Sequence, residues 1–213
     1  MALAFVDVDG TIIKGTSCEK LFIPYLIRNN KLGLRQFFHF AWFALRHFSK
    51  YGLRVYKRDK AYLTGLSIEE TEQLAKAFIG RIIPERLNPL IIAELERHRT
   101  AGDELVLLSG TPEFLAEPLG RKLGIENIIA CKVLSLNGCY TSGDPAQHPY
   151  GQSKLQLARE YCLKRGASLE KSAAYADKSS DLPLLEQVGT AVAVTPVRRL
   201  RKVALTKDWR IIG

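Results

Sequence analysis

From residue 104 onward, short apolar runs alternate with helix-like segments, and this alternation constrains the fold more than any other feature of the chain. Glu104–Ser109 reads as a strand, and Pro112–Leu123 as a helix with Thr111 as cap and Pro112 at its first position. Ile128–Val133 reads as a strand, Lys154–Arg165 as a helix, Ala173–Asp177 as a strand, Leu182–Gln187 as a helix and Ala191–Thr195 as a strand. Pro196 opens a last helix with Thr195 as its cap. With a further apolar run at Leu3–Asp7, the pattern predicts an α/β fold, a mostly parallel sheet covered by helices. Right-handed crossovers place the strand C-termini on one edge, where open α/β sheets bind ligands. Asp7, Ser109 and Asp177 all end predicted strands.

The stretch from about Ser17 to Gly80 is helical in pattern, with no interleaved strand. It is therefore expected to sit outside the sheet as a helical cap over 16–85, inserted into a core made of 1–15 and 86–213. Ser67-Ile-Glu-Glu70 has the form of a capping box, Pro84 marks a boundary, and a helix is predicted over Glu85–Thr100. Asn137-Gly138 between short apolar runs predicts a hairpin.

At 213 residues the chain suits one domain, or a domain with a sizeable insertion. Hydrophobic residues at 46% and charged residues at 25% exclude a disordered or collagen-like chain. The N-terminal apolar run ends at Asp7 and Asp9 and has no basic n-region, unlike a signal peptide. The longest apolar stretch, around Phe37–Leu45, is too short to span a bilayer. Cys18, Cys131, Cys139 and Cys162 show no metal-type spacing and read as reduced thiols. A cytoplasmic location is expected.

The net charge of +9 is concentrated in one place. Between Lys20 and Arg58 there are nine basic residues and no acidic one, interleaved with aromatics such as Phe37, Trp42 and Tyr51. Segment 20–58 is thus either a helical subdomain with a solvated basic face or a peripheral contact with an anionic membrane at its inner face. Nucleic acid is the least favoured partner. The basic cluster Arg198, Arg199, Arg201 and Lys202 reads as a solvated helix face with a C-terminal charge benefit.

Asp7-Val8-Asp9-Gly10-Thr11 follows the first strand. Two carboxylates two residues apart face one site if the chain curls there, and Gly10 permits the curl. A carboxylate can attack phosphorus and divide one hard hydrolysis into two easier steps. Asp7, directly at the strand end, suits that nucleophile, and Asp9 suits the acid that protonates the leaving alcohol and the base that activates water. The bland alternative is a pair of solvated loop carboxylates, or an Asp9 that caps a helix.

The DVDGT run resembles the first motif of the haloacid dehalogenase superfamily of phosphatases. LLSGT around Ser109, GQSK around Lys154, and YADKSSDLP around Asp177 and Asp181 are similar in order to that family's other motifs. The resemblance covers nearly the whole chain and is nearest to the phosphoserine-phosphatase-like branch, with its helical cap between the first and second motifs. It implies a three-layer, Rossmann-like core and a phosphoric monoester hydrolase acting through an aspartyl-phosphate. It implies Thr11, Ser109, Gly110 and Lys154 as phosphate contacts, and Asp7, Asp9, Asp177 and Asp181 as the Mg²⁺ site.

These residues also read physically. Ser109-Gly110-Thr111 can hold phosphate oxygens through hydroxyl and backbone N–H groups, or Ser109 is an ordinary helix cap. Lys154 can neutralise both the phosphoryl group and Asp7, or it is a surface lysine. Asp177 can ligate Mg²⁺ directly, with Asp181 holding the ion or its waters, and Asp181 can also cap a helix. The branch's pattern is broken at three places. Ala176 stands where Gly or Ser is usual, Lys178 places a cation beside the metal site, and Thr16 stands where the branch has a cap glutamate, with Glu19 displaced from it.

The expected substrate is a small anionic phosphomonoester. The alternative is a lipid headgroup, as in phosphatidylglycerophosphate phosphatases, reached through segment 20–58. A phosphoacceptor signalling domain is disfavoured by the long insertion between Asp9 and Ser109. A non-catalytic anionic-surface module is disfavoured by the full set of chemical groups.

Overall fold

Six strands form one sheet in the order β10-β9-β8-β1-β4-β5, and every neighbouring pair runs parallel. They are β1 (Leu3–Val6), β4 (Glu104–Pro112), β5 (Asn127–Cys131), β8 (Ala173–Ala176), β9 (Thr190–Val194) and β10 (Arg210–Ile212). The computed structural model describes residues 2–33 and 60–213. Most of the basic aromatic segment 20–58 falls on 34–59 and lies outside the described residues.

Apolar side chains alternate along the strands and so sort onto two faces. Leu3 and Phe5 of β1 and Val106 and Leu108 of β4 share a cluster with Leu155, Leu184 and Leu200. Those three belong to α5 (Gln152–Arg165), α6 (Leu182–Leu185) and α7 (Arg198–Thr206). The other residues of the same strands, Ala4, Val6, Leu105 and Leu107, share the second cluster with Ile91 and Leu95 of α3 (Pro89–Ala101) and Leu115 of α4 (Glu113–Leu123). Helices on both faces of a parallel sheet make the three layers.

The second cluster runs on into the stretch 16–85. Phe22 and Leu26 of α1 (Cys18–Arg28) and Phe78 of α2 (Ile68–Arg81) belong to it, and Phe22 meets both Phe78 and Phe114. α1 and α2 are therefore packed on α4 through aromatic rings. The predicted hairpin is present: β6 (Ser135–Leu136) and β7 (Cys139–Tyr140) pair antiparallel around Asn137 and Gly138, both at positive φ. It also grips the segment before α2, since Gly65 donates to Tyr140 and Ile68 to Gly138. The Ser67 hydroxyl accepts the Glu70 amide at 3.4 Å, one half of the expected capping box, while the Glu70 carboxylate accepts from Lys31 instead of reaching back.

Several predicted boundaries move. The helix expected from Glu85 begins at Pro89, because Asn88 accepts the Leu90 amide and residues 83–86 form a 3₁₀ turn. β4 runs on through Ser109 to Pro112, which takes the cap position expected of Thr111. The last helix starts at Arg198 rather than Pro196, and Thr195 sits at φ 39 as part of a turn, not as a cap. Its basic residues are exposed, as expected, but Arg198, Arg199 and Arg201 occupy its first turn, so the C-terminal dipole benefit does not arise. β10 was not predicted at all. No helix among the described residues is long and apolar enough to cross a membrane.

Candidate active site

The chain leaves β1 for β4 and β5 on one side, then returns to β8, β9 and β10 on the other. β1 is therefore the strand at which the order reverses, and the crevice beyond its C-terminal end is where such sheets place ligands. Asp7 lies there, one residue past β1, its amide donating to Tyr175 of β8 at 3.0 Å. A short loop follows, in which Ile12 donates to the Asp7 carbonyl and Thr11 and Ile13 to that of Val8. Val8, Ile12 and Ile13 are fully buried, so the loop is anchored in the core. Two-residue strands β2 (Asp9–Gly10) and β3 (Ile13–Lys14) pair across it.

Lys154 is buried and its Nζ bridges two carboxylates, donating to Asp7 Oδ1 at 2.8 Å and lying 3.3 Å from Asp181 Oδ2. Gly151 at φ 58 turns the chain into α5, and that turn brings Lys154 under the loop after β1. The surface-lysine reading is thereby excluded. Asp181 is the residue before α6 but makes no capping bond with its side chain; its partner is Lys154. Burial lowers the Lys154 pKa, but Asp181 and Asp7 outweigh it and hold the ammonium charged.

Asp177 follows β8 and its carbonyl accepts the Val197 amide. Its carboxylate packs against Gly10: a Cβ there would lie 2.0 Å from Asp177 Oδ2. Burial pushes the Asp177 carboxyl up to about 7, with Lys178 pulling the other way. Asp9 points elsewhere; its Oδ1 accepts the amide of Cys18, the first residue of α1, at 2.8 Å. Burial, and then the Asp7 charge, push the Asp9 carboxyl up to about 6. Burial also raises Asp181, outweighing the pull of Lys154.

Ser109 is buried on β4, two residues beyond Leu107, which pairs with Val6 of β1. The β4–β5 register shifts between Leu108 and Pro112, so Ser109, Gly110 and Thr111 bulge out of the ladder. Ser109 Oγ lies 3.1 Å from Thr111 Oγ1 and accepts the Thr111 amide. It caps no helix. A Cβ on Gly110 would meet His148 Nε2 at 3.4 Å, so the segment before α5 approaches this bulge.

Thr11, four residues after Asp7, is fully buried, and its hydroxyl has no partner, nor does Asp177 Oδ1. Orphaned buried oxygens of this kind call for a ligand. Three buried carboxylates, Asp7, Asp177 and Asp181, also lie against only two ammonium groups, Lys154 and Lys178. A divalent cation fits that set, with Asp7 and Asp177 as its side-chain oxygens. Among the described residues no three His, Cys, Asp or Glu side chains form a metal cluster by themselves. Two carboxylates are what Mg²⁺ takes, its remaining positions being filled by water and phosphate.

A family model for haloacid dehalogenase-like hydrolases matches residues 4–186. The chain belongs to that family. A probable phosphatase of Mycobacterium tuberculosis is 30% identical over 99% of this chain and 74% of its own length. A histidinol-phosphatase of Neisseria meningitidis is 28% identical over 99% of this chain and 98% of its own. A Streptomyces azureus protein described as inhibiting morphological differentiation is 34% identical over 73% of this chain, which spans 58% of it. A solved Bordetella pertussis structure of unknown function matches with a TM-score of 0.83, at 22% identity, over 100% of this chain and 98% of that one. A phosphoserine phosphatase carrying a phospho-aspartyl intermediate analogue shares the fold, with a TM-score of 0.59 at 16% identity, over 99% and 92% of the chains. The chain is accordingly a haloacid dehalogenase-like hydrolase that shares the fold of phosphoserine phosphatases.

Two features escaped the sequence reading. Lys178 turns inward to the Asp9 carbonyl, which no local signal announces. Glu19 is held by buried Lys60 and by Tyr62, whose hydroxyl donates at 2.8 Å. The low exposure of a lysine is decided by packing, so Lys60 carried no signal in the sequence.

Proposed function

We propose that this hydrolase is Mg²⁺-dependent and hydrolyses small phosphomonoesters through an aspartyl-phosphate on Asp7. The observation that carries the reading is the buried Lys154 bridge to Asp7 and Asp181 at the strand-order reversal. By holding Asp7 Oδ1, Lys154 orients the second carboxylate oxygen toward the crevice and offsets its repulsion of an anionic substrate. That oxygen attacks phosphorus, the ester P–O bond breaks, and Asp9 gives its proton to the departing alcohol. Water then attacks the phosphorus of the aspartyl-phosphate while Asp9 takes its proton back. The Asp7–phosphate bond breaks, and inorganic phosphate leaves. An Asp9 carboxyl at about 6 suits a group that must both give and accept a proton near neutrality. Asp7, Asp177, the Asp9 carbonyl and, through water, Asp181 would hold Mg²⁺, which supplies charge neutralisation at the phosphoryl group. Thr11, Ser109 and the Gly110 amide would hold phosphoryl oxygens.

A small soluble substrate is favoured by the full-length likeness to a histidinol-phosphatase. The lipid alternative rested on segment 20–58, and no described residue favours it. Serine-phosphate specificity does not carry over, since Thr16 replaces the branch's glutamate and Glu19 is already engaged by Lys60 and Tyr62. Division into a core of 1–15 and 86–213 and a cap of 16–85 belongs to the same proposal, the cap closing over the leaving group.

The test is hydrolysis of p-nitrophenyl phosphate with Mg²⁺, compared with Asp7→Asn. We expect the variant to fold and to lose on the order of 10³-fold or more in kcat. Equal rates would remove Asp7 as nucleophile. A panel of amino-acid, sugar, nucleotide and lipid phosphates then identifies the substrate class.

A further inference from the structure

Lys178 follows Asp177 directly, and its ammonium meets two oxygen donors that the proposed metal would use. Nζ donates to the backbone carbonyl of Asp9 at 2.7 Å and lies 3.5 Å from Asp177 Oδ2. The two partners come from the loop after β1 and from the turn after β8, so one side chain ties both sides of the crevice together. The Lys178 side chain is 42% exposed, unlike that of Lys154 at 3%. Lys154 is fixed in the floor. Lys178 is instead partly exposed, so its ammonium is not locked in place by the core as that of Lys154 is.

We propose that Lys178 is the resident counter-ion of this site, filling the donors of the Asp9 carbonyl and Asp177, and that a divalent cation binds only by displacing it. The inference rests on the magnesium-phosphatase reading above and deepens it. The buried carboxylates of Asp7, Asp177 and Asp181 converge here, and without a cation their mutual repulsion would splay the loop. A tethered ammonium is always at hand, so it offsets that repulsion whenever metal is absent. The same tether sets a cost on metal entry: the metal-competent state, with Lys178 swung out, is a minor one, and apparent affinity falls by its population. Losing one charged hydrogen bond and one partly exposed ion pair corresponds to about a tenfold penalty in binding.

Mg²⁺ alone is titrated by calorimetry into the metal-free full chain and into Lys178→Met, which keeps the length and removes the charge. The variant is expected to bind Mg²⁺ about tenfold more tightly, and to melt at a lower temperature than wild type when both are metal-free. Equal or weaker Mg²⁺ affinity in the variant overturns the proposal, and a raised KM alone would make Lys178 a substrate contact instead. Should Lys178→Met not fold, acetylation of the wild-type lysines, read by mass spectrometry with and without Mg²⁺, decides it. Mg²⁺ is expected to speed acetylation at Lys178 several-fold, and an unchanged or slower rate overturns the proposal. A wild type that hydrolyses phosphomonoesters with Mg²⁺ and Asp7, but shows none of these shifts, sinks this inference alone. Absence of Mg²⁺ binding to either protein sinks the magnesium reading with it.

Discussion

Gly10 shows how tightly one residue can couple the loop after β1 to the site. Its φ is +91, which an L side chain rarely adopts, and a Cβ would occupy the space of the Asp177 carboxylate. Gly10→Ala therefore meets both backbone strain and a displaced acid. We expect a loss of roughly 1–3 kcal/mol in urea denaturation. We also expect a fall in kcat larger than the lost stability explains, because Asp177 must move. A variant with unchanged kcat would mean that Asp177 can shift without cost to the chemistry. The role of Gly10 as the curl between two carboxylates was readable from DVDGT; that it makes room for an acid 167 positions away was not.

At the scale of elements, the core strands announced themselves because each is an unbroken apolar run flanked by polar turns. β10 did not, since Arg210-Ile-Ile is short and its edge position depends on β9 being in place to pair with it. The helix starts at Pro89 and Arg198 differ from the expected ones for a related reason. Proline marks a chain direction, but the capping side chain and the neighbouring strand decide where hydrogen bonding begins. Element packing makes its own prediction at Gly120, inside α4. A Cβ there would lie 2.6 Å from Ile128 Cδ1 of β5 and 2.8 Å from the Ile125 carbonyl. Gly120→Ala should destabilise by roughly 1–3 kcal/mol through overpacking. Because α4 lies on the face away from Lys154, kcat per folded molecule should stay constant, as a urea midpoint and an activity titration together would show.

Across the whole molecule, the buried acids set the pH response. Asp9 at about 6 and Asp177 at about 7 hold protons in the native state that the unfolded chain, with aspartates near 3.9, has already released. Between those limits the native state binds more protons than the unfolded one, so stability falls as pH rises. Metal-free protein should thus melt at a higher temperature at pH 5 than at pH 8, with Mg²⁺ restoring the difference at pH 8. A melting temperature rising over that interval in the presence of a chelator would contradict the burial of these groups. The Glu94–Arg210 pair runs oppositely. Arg210 holds the Glu94 carboxyl below its usual range, so the pair adds stability above about pH 4.5 that is lost on further acidification, below the window measured.

Periodicity and position along the chain determined the parallel sheet and the placing of Asp7 and Asp177 at strand ends, because a strand's faces and its C-terminal edge are local consequences of a two-residue repeat. The tertiary structure decided which cation faces which acid. Lys154 meets Asp7 across 147 residues and Lys178 meets the Asp9 carbonyl across 169. A lysine's four-carbon stem carries no directional preference of its own, so its partner is chosen only when distant segments close around it.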